Sequence, residues 1–218
     1  MIRLHRQQLP QELAARLNTW RAELLQRIAA GQDVSDFTNV RYRDAALKNV
    51  LKAESHDKCI YCETKILHAQ FGDVEHIRPK SRFRERALDH DNLALSCAVC
   101  NNAKGDAWDD AIPFLNPYAE DPAQQIRAFG PMLTALPQAH NAMETIRQLT
   151  LNRTGLLERR AERLQNLRAL LNEYQVAVDQ NMRRIAEREL VEATKADREF
   201  AFVVRCFLRE HGLPLPAY

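Results

Sequence analysis

The sequence predicts a mostly helical protein with a small α+β core held by a four-cysteine metal site. Three observations predict it. Leu13, Leu17, Trp20, Leu24 and Ile28 recur at helical spacing across residues 11–30. A charged stretch from Leu156 to about Phe207, dense in Arg and Glu, sets Leu164, Leu167, Leu170, Leu171, Tyr174 and Val178 on one helical face. Between these helical ends, four cysteines stand as two C-x-x-C pairs, Cys59/Cys62 and Cys97/Cys100. The turn residues Gly72, Pro79 and Gly105 mark the region around them as compact and irregular.

The elements follow in order. Pro10 suits the first turn of the helix over 11–30, and Gly31 ends it. A second short helix is expected over 43–53, with Ala46, Val50 and Leu51 facing inward. Val74 and Ile77, then Leu93 and Leu95, suggest two short strands, and Ala98 to Trp108 a short helix. Residues 112–137 are loop-rich, with Pro113, Pro117, Pro122, Pro131 and Pro137. A hairpin is expected within them, from Ile126 to Thr134 around Gly130. Helical patterning returns near Asn141 and breaks at Asn152–Gly155. The last charged stretch reads as two helices hinged near Thr194.

Composition narrows the class. The chain has 218 residues, 28% charged and 45% hydrophobic, as in a soluble globular protein. A net charge of only +2 excludes a polybasic nucleic-acid coat, so any phosphate-binding surface must be local. No apolar run approaches a membrane span, and Met1–Arg6 is not followed by the apolar stretch of a secretory signal, so the cytoplasm is the expected location. Five cysteines in a reducing compartment argue for a metal rather than disulfides. The unpaired Cys206 reads as a small buried core residue.

C-x-x-C is the usual half-site for tetrahedral zinc, and two half-sites bring four thiolates onto one cation. Cys59, Cys62, Cys97 and Cys100 are therefore expected to hold a structural Zn²⁺. A closed four-cysteine site has no open position for substrate, so chemistry must come from the residues between and just after the pairs. Glu75 and His76 are adjacent there. In an extended strand they point to opposite faces, but at a strand end or bulge both can reach one site. Asn101 follows Cys100 directly and would be fixed by the zinc, and Asn92 precedes the second pair. Carboxylate and amide oxygens suit a hard cation such as Mg²⁺ or Mn²⁺, and a neutral histidine suits a general base. Arg78, Lys80, Arg82, Arg84 and Arg86 crowd the segment after His76, and alternating cations on a loop can reach one row of phosphates. Few aromatics interleave them, so base stacking is not indicated.

Glu-His-Ile-Arg-Pro-Lys-Ser, then Asp-Asn-Leu, then Cys-x-x-Cys-Asn-x-x-Lys-Gly resembles the zinc-stapled HNH endonucleases over about residues 59–106. The resemblance implies a ββα-metal motif flanked by N- and C-terminal helices. Glu75 and Asn101 would ligate the catalytic cation, with Asn102 a competitor for the second place. His76 would be the base, Asn92 would orient it and brace the loop, and Lys104 would approach the nucleic-acid backbone or the helix end. Glu in place of the commoner Asp or His adds a methylene at the first ligand. The flanking Asn-Pro-Tyr, Glu120-Asp121-Pro122 and the later Thr145–Arg153 stretch resemble the HNH subunits of Septu-type and retron-associated anti-phage systems. That wider likeness implies DNA cleavage beside an ATPase subunit. The chain has no G-x-x-x-x-G-K-[ST] of its own. The expected organisation is an N-terminal helical segment (1–45), a nuclease core (46–112) and a loop, hairpin and helical region (113–218). A non-catalytic zinc module that binds nucleic acid or protein is the alternative reading.

Overall fold

The stripe at 11–30 folds as α1 (Gln11–Ala29) and buries Leu13, Leu17 and Leu24. The computed structural model describes residues 1–66 and 72–216. A helix not expected from the pattern follows, α2 (Ser35–Arg41), too short to show a full period. Asp33 opens it by accepting from the Ser35 amide and hydroxyl, and Phe37 and Thr38 anchor it inward. α3 (Ala45–Glu54) is capped by Asp44, whose carboxylate accepts from the Leu47 amide. Its inward face is Leu47 and Leu51, with Val50 at the edge. Ala46, expected inside, is exposed.

Two four-residue strands form next, β1 (Asp73–His76) and β2 (Leu93–Ser96), antiparallel with Glu75 opposite Ala94 and His76 opposite Leu93. Gly72 sets the entry to β1 at φ +62°, where an added Cβ would lie 3.0 Å from the Ile66 side chain. α4 (Ala98–Lys104) follows β2 directly and stops at Gly105, short of the expected Trp108. Gly105 takes φ +51° and ψ −133°, a backbone conformation open chiefly to glycine, and closes α4 after seven residues.

The hairpin around Gly130 is β3 (Ile126–Phe129) with β4 (Met132–Ala135). α5 (His140–Gln148) comes after it. The long charged stretch is three helices rather than two: α6 (Thr154–Val176), α7 (Gln180–Ala193) and α8 (Ala201–Glu210). The expected break near Thr194 is present. The other lies at 177–179, where Asp179 accepts from the Asn181 and Met182 amides and starts a new helix. Val178, expected on the apolar face, falls in that corner and is 98% exposed. Cys206 is half-buried against the core rather than inside it.

One apolar cluster runs from Met1 to Leu213 and includes Leu51 of α3, Leu93 and Leu95 of β2, Leu164 of α6 and Val204 of α8. β2 is buried along its whole length, so the short sheet is backed by core on one side and carries the candidate site at its rim. Among the described residues no helix is long and apolar enough to cross a membrane.

Candidate metal and nuclease centre

The two C-x-x-C pairs meet although residues 63–96 separate them. Cys59 and Cys62 sit on a tight turn after α3, closed by bonds from the Cys59 amide to the Thr64 carbonyl and from the Glu63 amide to the Cys59 carbonyl. Cys97 is the residue before α4, and Cys100 lies in that helix. The Ile60 amide donates to the Leu95 carbonyl, which ties the turn to β2. All four sulfurs lie within 4.8 Å of one another, and Cys62 Sγ and Cys97 Sγ are 3.8 Å apart. A tetrahedral ion with Zn–S bonds of about 2.3 Å separates its sulfurs by about 3.8 Å, so the cage fits zinc. The thiols are buried and drive one another apart in acidity. Burial pushes Cys59 well up, while bonds from Cys100 and Cys59 hold Cys62 well down. Only a cation lets all four ionise together. Arg153, which the spacing did not single out, brings Nη1 to 3.8 Å from Cys100 Sγ and offsets part of that charge.

The strand and helix around this cage build the second site. Side chains alternate along β1, so Asp73 and Glu75 share one side. Asn101 and Lys104, three residues apart, share one face of α4. The two pairs meet: Asn101 Nδ2 donates to Asp73 Oδ2 at 3.0 Å, and Lys104 Nζ lies 2.7 Å from Glu75 Oε1. Lys104 also donates to the His76 carbonyl at 2.8 Å. It is buried at the end of α4, the second of the two places that the sequence reading gave it, and borders the cleft from there. A buried carboxylate needs a counter-charge, and Lys104 is the cation within reach. Burial still pushes Glu75 up to about 7 against the pull of Lys104.

His76 points to the other side of β1, which is regular and has no bulge. Its Nε2 lies 3.0 Å from the Ala87 carbonyl oxygen, and its ring meets Tyr42 edge to face with centroids 4.8 Å apart. A carbonyl can only accept, so Nε2 carries the hydrogen and Nδ1 keeps its lone pair. Burial lowers the imidazole to about 4, and Lys80 and Lys104 push the same way. Because His76 ends the strand, it and Glu75 border one cleft of about 320 Å³, together with Asn101, Asn102, Lys104 and Lys80.

Asn92 is buried and spans the loop after His76. Its Oδ1 accepts from the Arg78 amide at 2.8 Å, and its Nδ2 donates to the Arg78 and Arg86 carbonyls at 3.0 and 3.1 Å. It braces both ends of the loop, while the neighbouring Ala87 carbonyl holds the His76 ring. The loop's cations do not form one row. Arg84 is exposed, and Arg86 pairs with Asp89. Lys80 reaches the Tyr42 hydroxyl at 3.4 Å. Arg82 donates to the Trp108 carbonyl and faces Asp110. Aromatics do gather among them, contrary to the sequence expectation: Phe83 and Trp108 pack edge to face and Arg78 lies over both rings.

Asp73 is the site residue that sequence reasoning passed over. Its signal was available, since a carboxylate two positions before Glu75 in a strand must share its side. Asp73 can only accept, so it takes the Asn101 amide group and leaves Oδ1 as the ligand atom of that side chain. Glu75 and Asn101 together offer two hard oxygen donors, which suit Mg²⁺ or Mn²⁺ with water and phosphate completing the shell. Among the described residues no group of three or more His, Cys, Asp or Glu side chains gathers at metal-ligand separation except the four cysteines.

Comparison with known proteins adds to this geometry. Residues 59–107 match the HNH endonuclease family model, a span that opens at Cys59 and takes in both strands and α4. The chain is similar to Septu protein PtuB of Bacillus thuringiensis, 32% identical over 84 residues, 38% of this chain and 33% of the relative. It is also similar to Septu protein PtuB of Bacillus mycoides (strain KBAB4), 26% identical over 152 residues, 56% of this chain and 52% of the relative. The matches thus span a third and about half of the two relatives' lengths.

Proposed function

We propose that the HNH segment is a working endonuclease: a metal-dependent enzyme that hydrolyses phosphodiester bonds of DNA, as the effector of an anti-phage complex with an ATPase subunit. The observation that carries this reading is the cleft where Glu75, His76 and Asn101 converge beside a zinc-type cage. A binding module needs the cage but has no use for a neutral buried histidine with a free Nδ1 next to two hard oxygen donors.

His76 takes a proton from water at Nδ1. Its Nε2–H to the Ala87 carbonyl fixes the tautomer and steadies the imidazolium that results. At neutral pH the ring is uncharged and ready to accept, since burial holds it near 4. A phosphodiester in the cleft brings negative charge opposite Lys80 and Lys104 and so raises the affinity of His76 for that proton. Asn92 acts through the loop, holding residues 78–86 so that Ala87 stays on the histidine. Glu75 and Asn101 would hold the cation, which when bound neutralises charge on the phosphate and on the departing 3′ oxygen. Plasmid incubated with the protein and Mg²⁺ or Mn²⁺ is the direct test, with no cleavage under any condition counting against the reading.

The acidity of Glu75 sets the expected pH response. The carboxyl must be ionised to ligate a cation, and it takes up its proton as pH falls through about 7. Proton and cation compete for the same oxygens. Cleavage at low Mg²⁺ should therefore fall below about pH 7, and the midpoint should move to lower pH as Mg²⁺ is raised. His76 is neutral down to about 4 in the free protein, and its protonation does not compete with the cation, so a midpoint that moves with the metal reports Glu75. Rates measured across pH at two Mg²⁺ concentrations decide the point, and a midpoint unmoved by the metal would remove Glu75 from the ligand set.

The likeness to Septu protein PtuB supports an ATPase partner for this chain. The candidate docking surface is the N-terminal helix with the helical C-terminal half, the parts that the nuclease chemistry leaves unused. Co-expression with an ATPase encoded beside this chain should give a single species in size-exclusion chromatography and altered cleavage. A chain that stays separate and cuts identically with and without that ATPase would defeat this part.

A further inference from the structure

Phe83 and Trp108 lie on the two chain segments that run on from the cleft residues Lys80 and Asp106. Phe83 lies on the loop after His76, its amide donating to the carbonyl of Pro79, which itself borders the cleft. Trp108 follows the end of α4, four residues beyond Lys104. Their ring centroids are 5.8 Å apart at an interplanar angle of 79°. The Arg78 guanidinium lies 5.5 Å from the Phe83 centroid and 5.4 Å from that of Trp108, within cation–π range of both. Both rings are half-buried. The corner is held in place: Arg82 Nη1 donates to the Trp108 carbonyl at 2.5 Å, and the indole N–H donates to Asp110 Oδ1 at 2.8 Å.

Packing accounts for Trp108, which lies against the core, but poorly for Phe83. Phe83 stands between Arg82 and Arg84, both exposed, in a stretch with no buried residue between Pro79 and Ala87. An edge-to-face pair cannot cover all of its own ring faces, so part of the aromatic surface remains available to a third flat group. The surrounding charges are those that a phosphate backbone meets. Aromatic faces beside arginines suit unstacked nucleobases, because every base has a π-face and its phosphates need cations. Bases inside a duplex are already stacked on one another and cannot use such a corner.

We infer that the Phe83–Trp108 corner stacks an unpaired base next to the cleft, so that this chain takes nucleic acid with a single-stranded stretch beside the bond to be cut. The inference rests on the nuclease reading and specifies its substrate class. Each stacked base lost should cost about 5- to 150-fold in affinity.

The test compares oligo(dT) with a duplex of equal length, without added divalent cation so that binding is read alone. Phe83→Leu and Trp108→Leu keep apolar bulk but remove the flat ring. Both should weaken oligo(dT) binding by about five-fold or more and leave duplex binding unchanged. Phe83→Tyr should retain wild-type preference. Should the leucine variants not fold, the intact corner is read directly: in a Trp20→Phe chain, oligo(dT) should quench the fluorescence of Trp108 and the duplex should not. Unchanged oligo(dT) affinity, an equal fall for both ligands, or absence of quenching overturns the inference. A chain that cuts plasmid but shows none of these effects defeats the stacking corner alone. One that never cuts defeats the nuclease reading instead.

Discussion

Cys97→Ser is expected to unfold the centre of the molecule. Apparent binding energies of structural zinc are about 10–16 kcal/mol, against about 5–15 kcal/mol for the whole stability of an ordinary domain. The cage joins elements that have little else in common in sequence. Cys97 precedes α4, and its carbonyl accepts from the Asn101 amide at 2.9 Å. The Cys59–Cys62 turn is tied to β2 through Ile60 and Leu95. Loss of one thiolate leaves three buried, mutually repelling sulfurs and releases α4 from β1. With α4 go Asn101 and Lys104, so the site is lost as a consequence of the fold. Metal analysis should give about one zinc per chain in the wild type. The variant should show less zinc and a collapsed melting transition. Normal melting without zinc would show that the cage is not what holds this region.

His76→Ala is expected to lower cleavage by about 10²- to 10⁴-fold, the usual contribution of a positioned base. Stability should fall only modestly. The change empties the space against Tyr42 and leaves the Ala87 carbonyl without its donor, a cost of about 1–3 kcal/mol. Zinc content should be unchanged, because His76 lies outside the sulfur cage. Cleavage is therefore compared well below the melting temperature, with zinc measured in the same samples. Cutting at the wild-type rate would end the assignment of His76 as base. Activity lost together with zinc would move His76 from catalysis to structure.

Features carried by spacing were legible in the sequence. Two C-x-x-C pairs, a helical stripe at Leu13, Leu17 and Leu24, and short apolar alternations at 74–77 and 93–95 each need only local reading, and each corresponds to an element or cage in the fold. Features decided by long-range contact were not. α2 is too short for a period, and the break at 177–179 depends on Asp179 capping a new helix within a continuous run of charge. Phe83 and Trp108 are far apart in sequence and meet only in the fold. Lys104 was placed at the nucleic-acid backbone or the helix end, and its partner there, the buried Glu75, shows only in the fold. Asp73 could have been found by extending the strand's alternation one step back.

The ion pair between Lys104 and Glu75 has a consequence for the resting protein. With the ammonium 2.7 Å from the carboxylate, ionised Glu75 has its counter-charge before any divalent cation arrives. On the proposed ligand set, a second cation would then be needed for cleavage but not to balance Glu75 within the fold. A cation held by Glu75 would exchange one positive charge for another, and Lys104 would give up its place there. Were Glu75 a ligand, the fold would be complete before the divalent cation, and cleavage would follow the free Mg²⁺ or Mn²⁺ around the protein rather than the rate of its synthesis.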